Sequence, residues 1–415
     1  MRVSQLFTKT QKEAPADEVS KNAQLLIRAG YIHKELAGAY TFLPLGLKVL
    51  ENISQIIREE MDAVGGQEMK LTALQDPEIW KATDRWDDEK VDVWFKTKLK
   101  NDTELGLAPT HEEPIIRALK PHINSYKDLP FMAYQIQTKF RNETRAKSGV
   151  MRGREFLMKD LYSFARTQEE HEELYEKIKQ AYHRVYTRLG VGEQTFLTFA
   201  SGGMFSQFSH EFQTVCEAGE DTIYLDRKKG IAINEEVNTD EVLKDLGLNR
   251  DDLEEVRACE VGNIFTLKDK FSKPLNLTFV DEDNAEKNVM MGCYGIGPSR
   301  LVGVITELLG DDKGLVWPVN IAPYKVYLAV LGQDEAVIKA ADELYEDLNA
   351  SGISVLYDDR DVRPGEKFAD ADLLGMPYRI VVSAKTLEQG VIEVKARTGS
   401  ENELITTAEF KKRLQ

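Results

Sequence analysis

The run FRNETRAKSGVMRGREFLMKDLYSF, residues 140–164, constrains the fold of this chain most, because two strand-like ends flank a short basic loop and predict a hairpin. Strand residues two apart share a face, so Arg141 and Glu143 are expected side by side, with Arg152 and Phe156 on the returning chain. Between Lys139 and Asp160 lie seven basic residues (Lys139, Arg141, Arg145, Lys147, Arg152, Arg154, Lys159) and three acidic ones, in a 415-residue chain of net charge -16. Positive charge gathered against the global trend points to a phosphate ligand. Any one of these residues alone is more simply part of a solvated basic hairpin. Together they offer one guanidinium for an α-phosphate, another for a γ-phosphate and a ring to stack on a base.

A second signature lies downstream. In GCYGIGPSR, residues 292–300, three glycines let a strand-to-helix connection run close to a ligand, and Arg300 falls where the helix containing LVGVITELL begins. Alone, this would be a tight turn before an amphipathic helix. Arg141-x-Glu143, the loop and Arg152-x-x-x-Phe156 resemble motif two of the class II aminoacyl-tRNA synthetases, and residues 292–300 resemble motif three. The resemblance implies ATP as co-substrate, held by Arg141, Glu143, Arg152, Phe156 and Arg300, with adenine between Phe156 and Arg300.

Further segments narrow the resemblance. APTHEE (108–113), SHEFQ (209–213), ACEVGNIFTLKDKFS (258–272) and the opening 50 residues are similar to the prolyl-tRNA synthetases of bacterial type, from Met1 almost to Gln415. Proline carries a secondary ammonium and a carboxylate on a small apolar ring. Thr110 and Glu112 can accept from the ammonium, and Arg141 can hold the carboxylate. His210 and Cys293 match family positions lining the pocket, although alone they would be a structural histidine and a small core residue.

Activation needs no protein nucleophile, because the proline carboxylate itself attacks the α-phosphorus. Arg141, Arg152 and Arg300 are therefore the expected catalytic groups, acting by position and charge. The family also implies Mg2+, with Glu260 as its carboxylate, and the tRNA for proline as acceptor, with Arg145 and Lys147 reaching toward it.

The expected fold class is α/β, with an α+β catalytic core. An antiparallel-sheet class II catalytic domain over 1–320 is followed by a smaller α/β anticodon-binding domain over 321–415. Leu47, Leu50, Ile53, Ile57 and Met61 form a helical stripe, followed by Gly65-Gly66 and an expected strand over 67–74. This region resembles motif one, the dimer-forming element, with Thr72 where the family usually has proline. A homodimer is expected on that resemblance. Residues 168–189 read as a surface helix with a solvated charged face.

Beyond Trp317-Pro318, strands at 324–331, 353–357 and 378–383 alternate with helices at 334–350 and 367–374, the pattern of parallel pairing. DDRDVRPGEKFADADLLGMPYRIVVSAK resembles the class IIa anticodon-binding domain and offers Arg360, Arg363, Lys367 and Arg379 for tRNA, each equally able to form a surface ion pair.

Two departures from the family stand out. The interval 226–255, where most bacterial members carry a large editing domain, is roughly thirty residues, too few to fold alone, and reads as a strand, a short helix and a turn. FSQF (205–208) replaces a glycine-rich turn.

Composition fits a large core and two or more domains, with 42% hydrophobic and 30% charged residues. The start lacks an apolar signal core and no run is long and apolar enough for a bilayer, so a cytoplasmic protein with no membrane partner and no DNA partner is expected. Cys216, Cys259 and Cys293 have no zinc spacing. Two rival functions are weighed: a synthetase-like regulator that has lost catalysis, and a ligase loading an amino acid on a carrier other than tRNA. The complete set of ATP residues opposes the first, and the C-terminal domain opposes the second.

Overall fold

The computed structural model describes residues 1–144, 148–201 and 208–414. They form two compact units. One comprises Leu36–Ala39 and Ile53–Val304, and the other Met1–Glu35, Tyr40–Asn52 and Ile305–Gln415.

The central unit is built on a nine-stranded sheet: β1 (Gly66–Glu68), β2 (Phe131–Phe140), β3 (Glu155–Ala165), β4 (Thr195–Ser201), β5 (Phe208–Val215), β6 (Asp221–Asp226), β7 (Ile231–Asn234), β8 (Glu254–Lys268) and β9 (Met290–Ile296). Their spatial order is β5-β4-β7-β6-β8-β9-β3-β2-β1, and β5 also pairs with β8. Pairing is antiparallel throughout except for β1 with β2 and β7 with β4. The hairpin expected at 140–164 is β2–β3, in register from Phe131 opposite Phe164 to Phe140 opposite Glu155.

Arg141 and Glu143 do not sit on its strand. β2 ends at Phe140, where Arg141 N–H makes a last bond to Arg154 C=O at 2.8 Å. Glu143 N–H then turns back onto Arg141 C=O at 2.7 Å. The strand expected over 67–74 is likewise cut short at Glu68. Beyond it, β2 side chains replace the ladder: Leu71 N–H donates to Gln135 Oε1 at 3.0 Å, and Gln137 Nε2 donates to Leu71 C=O at 2.7 Å.

Helix α1 (Pro44–Ala63) carries the apolar stripe, but Leu50, Ile53, Ile57 and Met61 are buried within the chain and only Leu47 is exposed. Helix α2 (Glu112–Leu119) follows the APTHEE loop. Helix α3 (Gln168–Arg188) begins where the Thr167 side-chain oxygen accepts from Glu170 N–H. Glu172, Glu173, Glu176 and Lys177 are exposed, the solvated charged face expected, while His171, Leu174, Ile178, Ala181, Tyr182, Val185 and Tyr186 are buried along the other face. Interval 226–255 contributes β7, a helix at Asp240–Asp245 capped by Thr239, and a satellite core of Ile233, Leu243 and Leu248. It is woven into the sheet through β7 rather than standing as a domain.

Helix α4 (Pro298–Leu309) follows β9. The second unit carries β10 (Val326–Leu331), β11 (Val355–Asp358), β12 (Tyr378–Ser383), β13 (Ile392–Ala396) and β14 (Glu403–Ile405) in the order β11-β10-β12-β13-β14. The first three strands are parallel, as the alternating pattern predicts, and two antiparallel strands extend the edge. Helices α5 (Glu335–Ala350) and α6 (Pro364–Leu374) complete the expected elements. The chain start belongs to this unit: Arg2 pairs with Asp342 at 2.9 Å, Ser4 Oγ donates to Asp359 at 2.7 Å, and Tyr31 Oη donates to Leu374 C=O at 2.7 Å. Among the described residues no helix is long and apolar enough to cross a membrane.

Candidate active site

Two adjoining cavities open on the central sheet. Arg141, Glu143, Arg152, Phe156, Glu260 and Arg300 line the first, and Thr110, Glu112, Arg141, Glu143 and Cys293 the second, a space of ≈ 310 Å³. Arg141, Glu143, Met158, Asn263 and Gly295 belong to both walls, so Arg141 stands at the junction.

The three arginines are held differently. Arg141 lies with its guanidinium carbon 5.3 Å from the Phe156 ring centre, its Nε donating to Pro109 C=O at 3.3 Å. Burial, and then the charge of Arg300, lower its pKa, while the charges of Glu260, Glu143 and Glu112 oppose the shift. Arg152 bridges Glu143 at 2.9 Å and Glu220 at 2.6 Å. Arg300, in the first turn of α4, donates to Met151 C=O at 2.8 Å and Glu260 C=O at 2.6 Å.

Of the glycines in GCYGIGPSR, Gly295 and Gly297 line the first cavity. Gly292 is required by packing instead. A Cβ there would meet Tyr294 Oη and stand 2.8 Å from His171 Cε1 on α3.

At the other end, Thr110 Oγ1 donates to both oxygens of Glu112, at 2.8 and 2.7 Å. Burial raises the Glu112 pKa, but Arg85 and the Thr110 hydroxyl outweigh it and hold the carboxyl below its ordinary range. Neighbouring Glu113 is pushed up to about 7, chiefly by burial. Cys293 Sγ lies 3.6 Å from Glu112 Oε1, and burial with the Glu112 and Asp160 charges pushes its thiol well up, so it remains protonated.

His210 lies on β5, outside the described lining of both cavities. Tyr175 Oη meets its Nδ1 at 2.6 Å, the Phe199 ring packs against it, and burial lowers its pKa to about 4. Its neutral ring is engaged by the surrounding aromatics.

Glu260 accepts from Asn263 Nδ2 at 2.8 Å and stands 3.6 Å from Arg300 Nη1. No group of three or more His, Cys, Asp or Glu side chains is placed to hold a metal among the described residues. A single carboxylate in an arginine-lined cavity still fits Mg2+, which commonly takes one or two carboxylates and completes its shell with phosphates and water.

Arg145 and Lys147 lie outside the described residues, as do residues 205–207 of FSQF. Of the C-terminal candidates, Arg363 is exposed. Arg360 is tied to Asp358 at 2.8 Å and Asp370 at 2.7 Å. Lys367 is buried, donating to Val330 C=O at 2.8 Å and Asp358 C=O at 3.0 Å. Arg379 stacks 4.2 Å from the Phe368 ring centre. Arg360 and Lys367 thus hold the turn that follows β11 rather than facing outward.

Several site residues carry no sequence signal of their own. Arg85 reaches Glu112 and Glu113 from a segment far from any motif. A buried network ties the APTHEE loop to the hairpin. In it, Lys139 meets Asp160 at 2.8 Å and His111 Nδ1, while His111 Nε2 lies 3.0 Å from Thr72 C=O. Lys139, donor to the ring, fixes the proton on Nε2.

Residues 95–308 match the class II tRNA synthetase core domain of the G, H, P, S and T enzymes, and residues 325–415 an anticodon binding domain. A proline–tRNA ligase of Ehrlichia chaffeensis is 39% identical over the whole of both chains. One from Phenylobacterium zucineum is 39% identical over 98% of each. The chain belongs to the prolyl-tRNA synthetase family. The prolyl-tRNA synthetase of Cryptosporidium parvum, solved with L-proline and AMP, shares the fold with a TM-score of 0.77 at 19% identity, covering 95% of this chain and 73% of that one. The class II core match ends within α4, and the anticodon match covers β10 to β14.

Proposed function

We propose that the two joined cavities hold ATP and L-proline end to end, with the bond-making atoms meeting at Arg141. The activity is that of a proline–tRNA ligase: proline and ATP give prolyl-adenylate and pyrophosphate, and the 3' end of the tRNA then takes the prolyl group. The position of Arg141 in both walls carries the assignment. One guanidinium there can hold the proline carboxylate and the α-phosphate together, turning a bimolecular encounter into an aligned one.

Phe156 and Arg300 take the adenine, and Arg152 and Glu143 the phosphate and base edges. Thr110 and Glu112 accept from the secondary ammonium, with Cys293 shaping that end; His210, outside the lining, takes no direct part. Arg152 must release Glu220 or Glu143 as phosphate arrives, an exchange of one charge-assisted pair for another. Glu260 would hold Mg2+, which supplies charge neutralisation of the polyphosphate.

The catalytic domain is assigned to 1–320 and the anticodon-binding domain to 321–415, with Arg145, Lys147, Arg363 and Arg379 facing tRNA and Arg360 and Lys367 shaping the anticodon surface. A cytoplasmic homodimer through 46–74 completes the assignment, supported by family membership and by Leu47 and Leu74, both exposed in that region. A monomeric mass by light scattering of fully active protein would defeat the dimer. ATP–pyrophosphate exchange with each amino acid, followed by tRNA charging, tests the function. Proline, and no other large or polar amino acid, should drive both. A silent protein would favour the regulator, and exchange without charging the carrier ligase.

A further inference from the structure

We propose that Arg85 is the positioning residue of the proline end of the cavity, fixing Glu112 as an anion aimed at the substrate's secondary ammonium. The inference rests on the assignment of Thr110 and Glu112 to proline made above.

A single guanidinium nitrogen carries the arrangement. Arg85 Nη1 lies 3.2 Å from Glu112 Oε2 and 3.0 and 3.1 Å from the two oxygens of Glu113. Both carboxyls are buried and adjacent in the chain. Two such groups cannot both ionise in an apolar site without a cation between them. Their hydroxyl partners divide the pair: Thr83 Oγ1 donates to Glu113 at 2.7 Å, and Thr110 Oγ1 to Glu112. Glu113 is fully enclosed, whereas Glu112 lines the cavity, so Glu113 anchors the guanidinium and Glu112 is the carboxylate left to face a ligand.

The rest of the Arg85 side chain is braced for this work. Its guanidinium carbon lies 5.2 Å from the Trp80 ring centre and 5.1 Å from that of Phe271, and its backbone C=O accepts from Trp94 Nε1 at 2.9 Å. A planar cation fits between rings and carboxylates where a lysine ammonium would not. Arg85 itself lines the proline cavity beside Pro109 and Thr110. It would therefore act on substrate through Glu112 rather than by bonding proline, which is cationic at that end.

The test uses the full chain and ATP–pyrophosphate exchange. Arg85→Gln should raise KM for proline roughly 10- to 100-fold, the range for losing a hydrogen bond to a charged group, with KM for ATP within about twofold. Arg85→Lys should fall between Gln and the unaltered protein. Tetrahydrofuran-2-carboxylate, which keeps the ring and carboxylate but has no ammonium, is the control inhibitor, and its KI should not rise in either variant.

An equal rise in KM for proline and in KI would make Arg85 a structural prop and overturn the inference. An unchanged KM in folded Arg85→Gln would do the same. If Arg85→Gln does not fold, the split between KM and KI in Arg85→Lys decides. Glu112→Gln separates the two levels: no effect on KM for proline removes the site assignment and the inference with it, while a large effect there and none at Arg85 removes the inference alone.

Discussion

At the scale of residues, the arginine-lined cavity is the more legible. Arg141, Glu143, Arg152, Phe156 and Arg300 converge on one cavity wall although Arg141 and Glu143 leave the strand, because the turn closed by Glu143 N–H keeps them at the mouth of the hairpin. Arg152→Ala and Arg300→Ala should each slow adenylate formation by ~10²- to 10³-fold, the usual loss on removing one charge-stabilising donor. Exchange kinetics on variants with an unaltered circular dichroism spectrum measure this, and near-normal rates would displace the ATP site. Arg300→Ala should also loosen the chain at Met151 and Glu260, whose carbonyls it bonds, whereas Arg152→Ala frees only two carboxylates. Arg85 was not legible. Its partners are 27 and 28 residues away, and an isolated arginine between two tryptophans carries no spacing that singles it out.

At the scale of elements, the alternating C-terminal strands and helices were read within a few residues, since parallel strands buried on both faces leave continuous apolar runs. The expected 67–74 strand stops at Glu68 because Gln135 and Gln137, polar side chains of β2, supply bonds that a strand pattern assigns to backbone. Interval 226–255 shows what replaces a missing domain: one strand paired with β4 and a three-residue core. At roughly thirty residues such a segment is too short to fold as a hydrolytic domain of its own. The enzyme should therefore activate alanine measurably, because each absent methylene yields only ~1 to 3 kcal/mol of discrimination. Incubated with preformed alanyl-tRNA for proline, it should release alanine no faster than a no-enzyme control. Enzyme-dependent hydrolysis would reveal a deacylase site elsewhere.

At the scale of the whole molecule, burial sets the response to acid. His171, enclosed beneath motif three and bonded to Thr266 Oγ1 at 2.9 Å, is held neutral, its pKa lowered by burial from 6.5 to about 4. Its contribution is complete above pH 6.5 and lost as pH falls through 4. Glu113 and Glu211, raised to about 7 mainly by burial, act oppositely, their contribution lost as pH rises through 7. The two tendencies offset each other in the total, so a difference between proteins isolates the histidine. The stability gap between the unaltered chain and His171→Asn should widen from pH 4 to 6.5, by at most about 1.4 kcal/mol per pH unit, and stay level above, as read from urea melts. A gap independent of pH would mean that His171 already titrates normally. The Arg2–Asp342 pair, 340 positions apart, has a consequence for synthesis. A ribosome delivers Arg2 and Ser4 long before Asp342 and Asp359 exist, while Ile53–Val304 emerges with its own contacts already in hand. Arg2 must wait through most of translation for Asp342, so its segment is among the last to close and the longest in need of a chaperone.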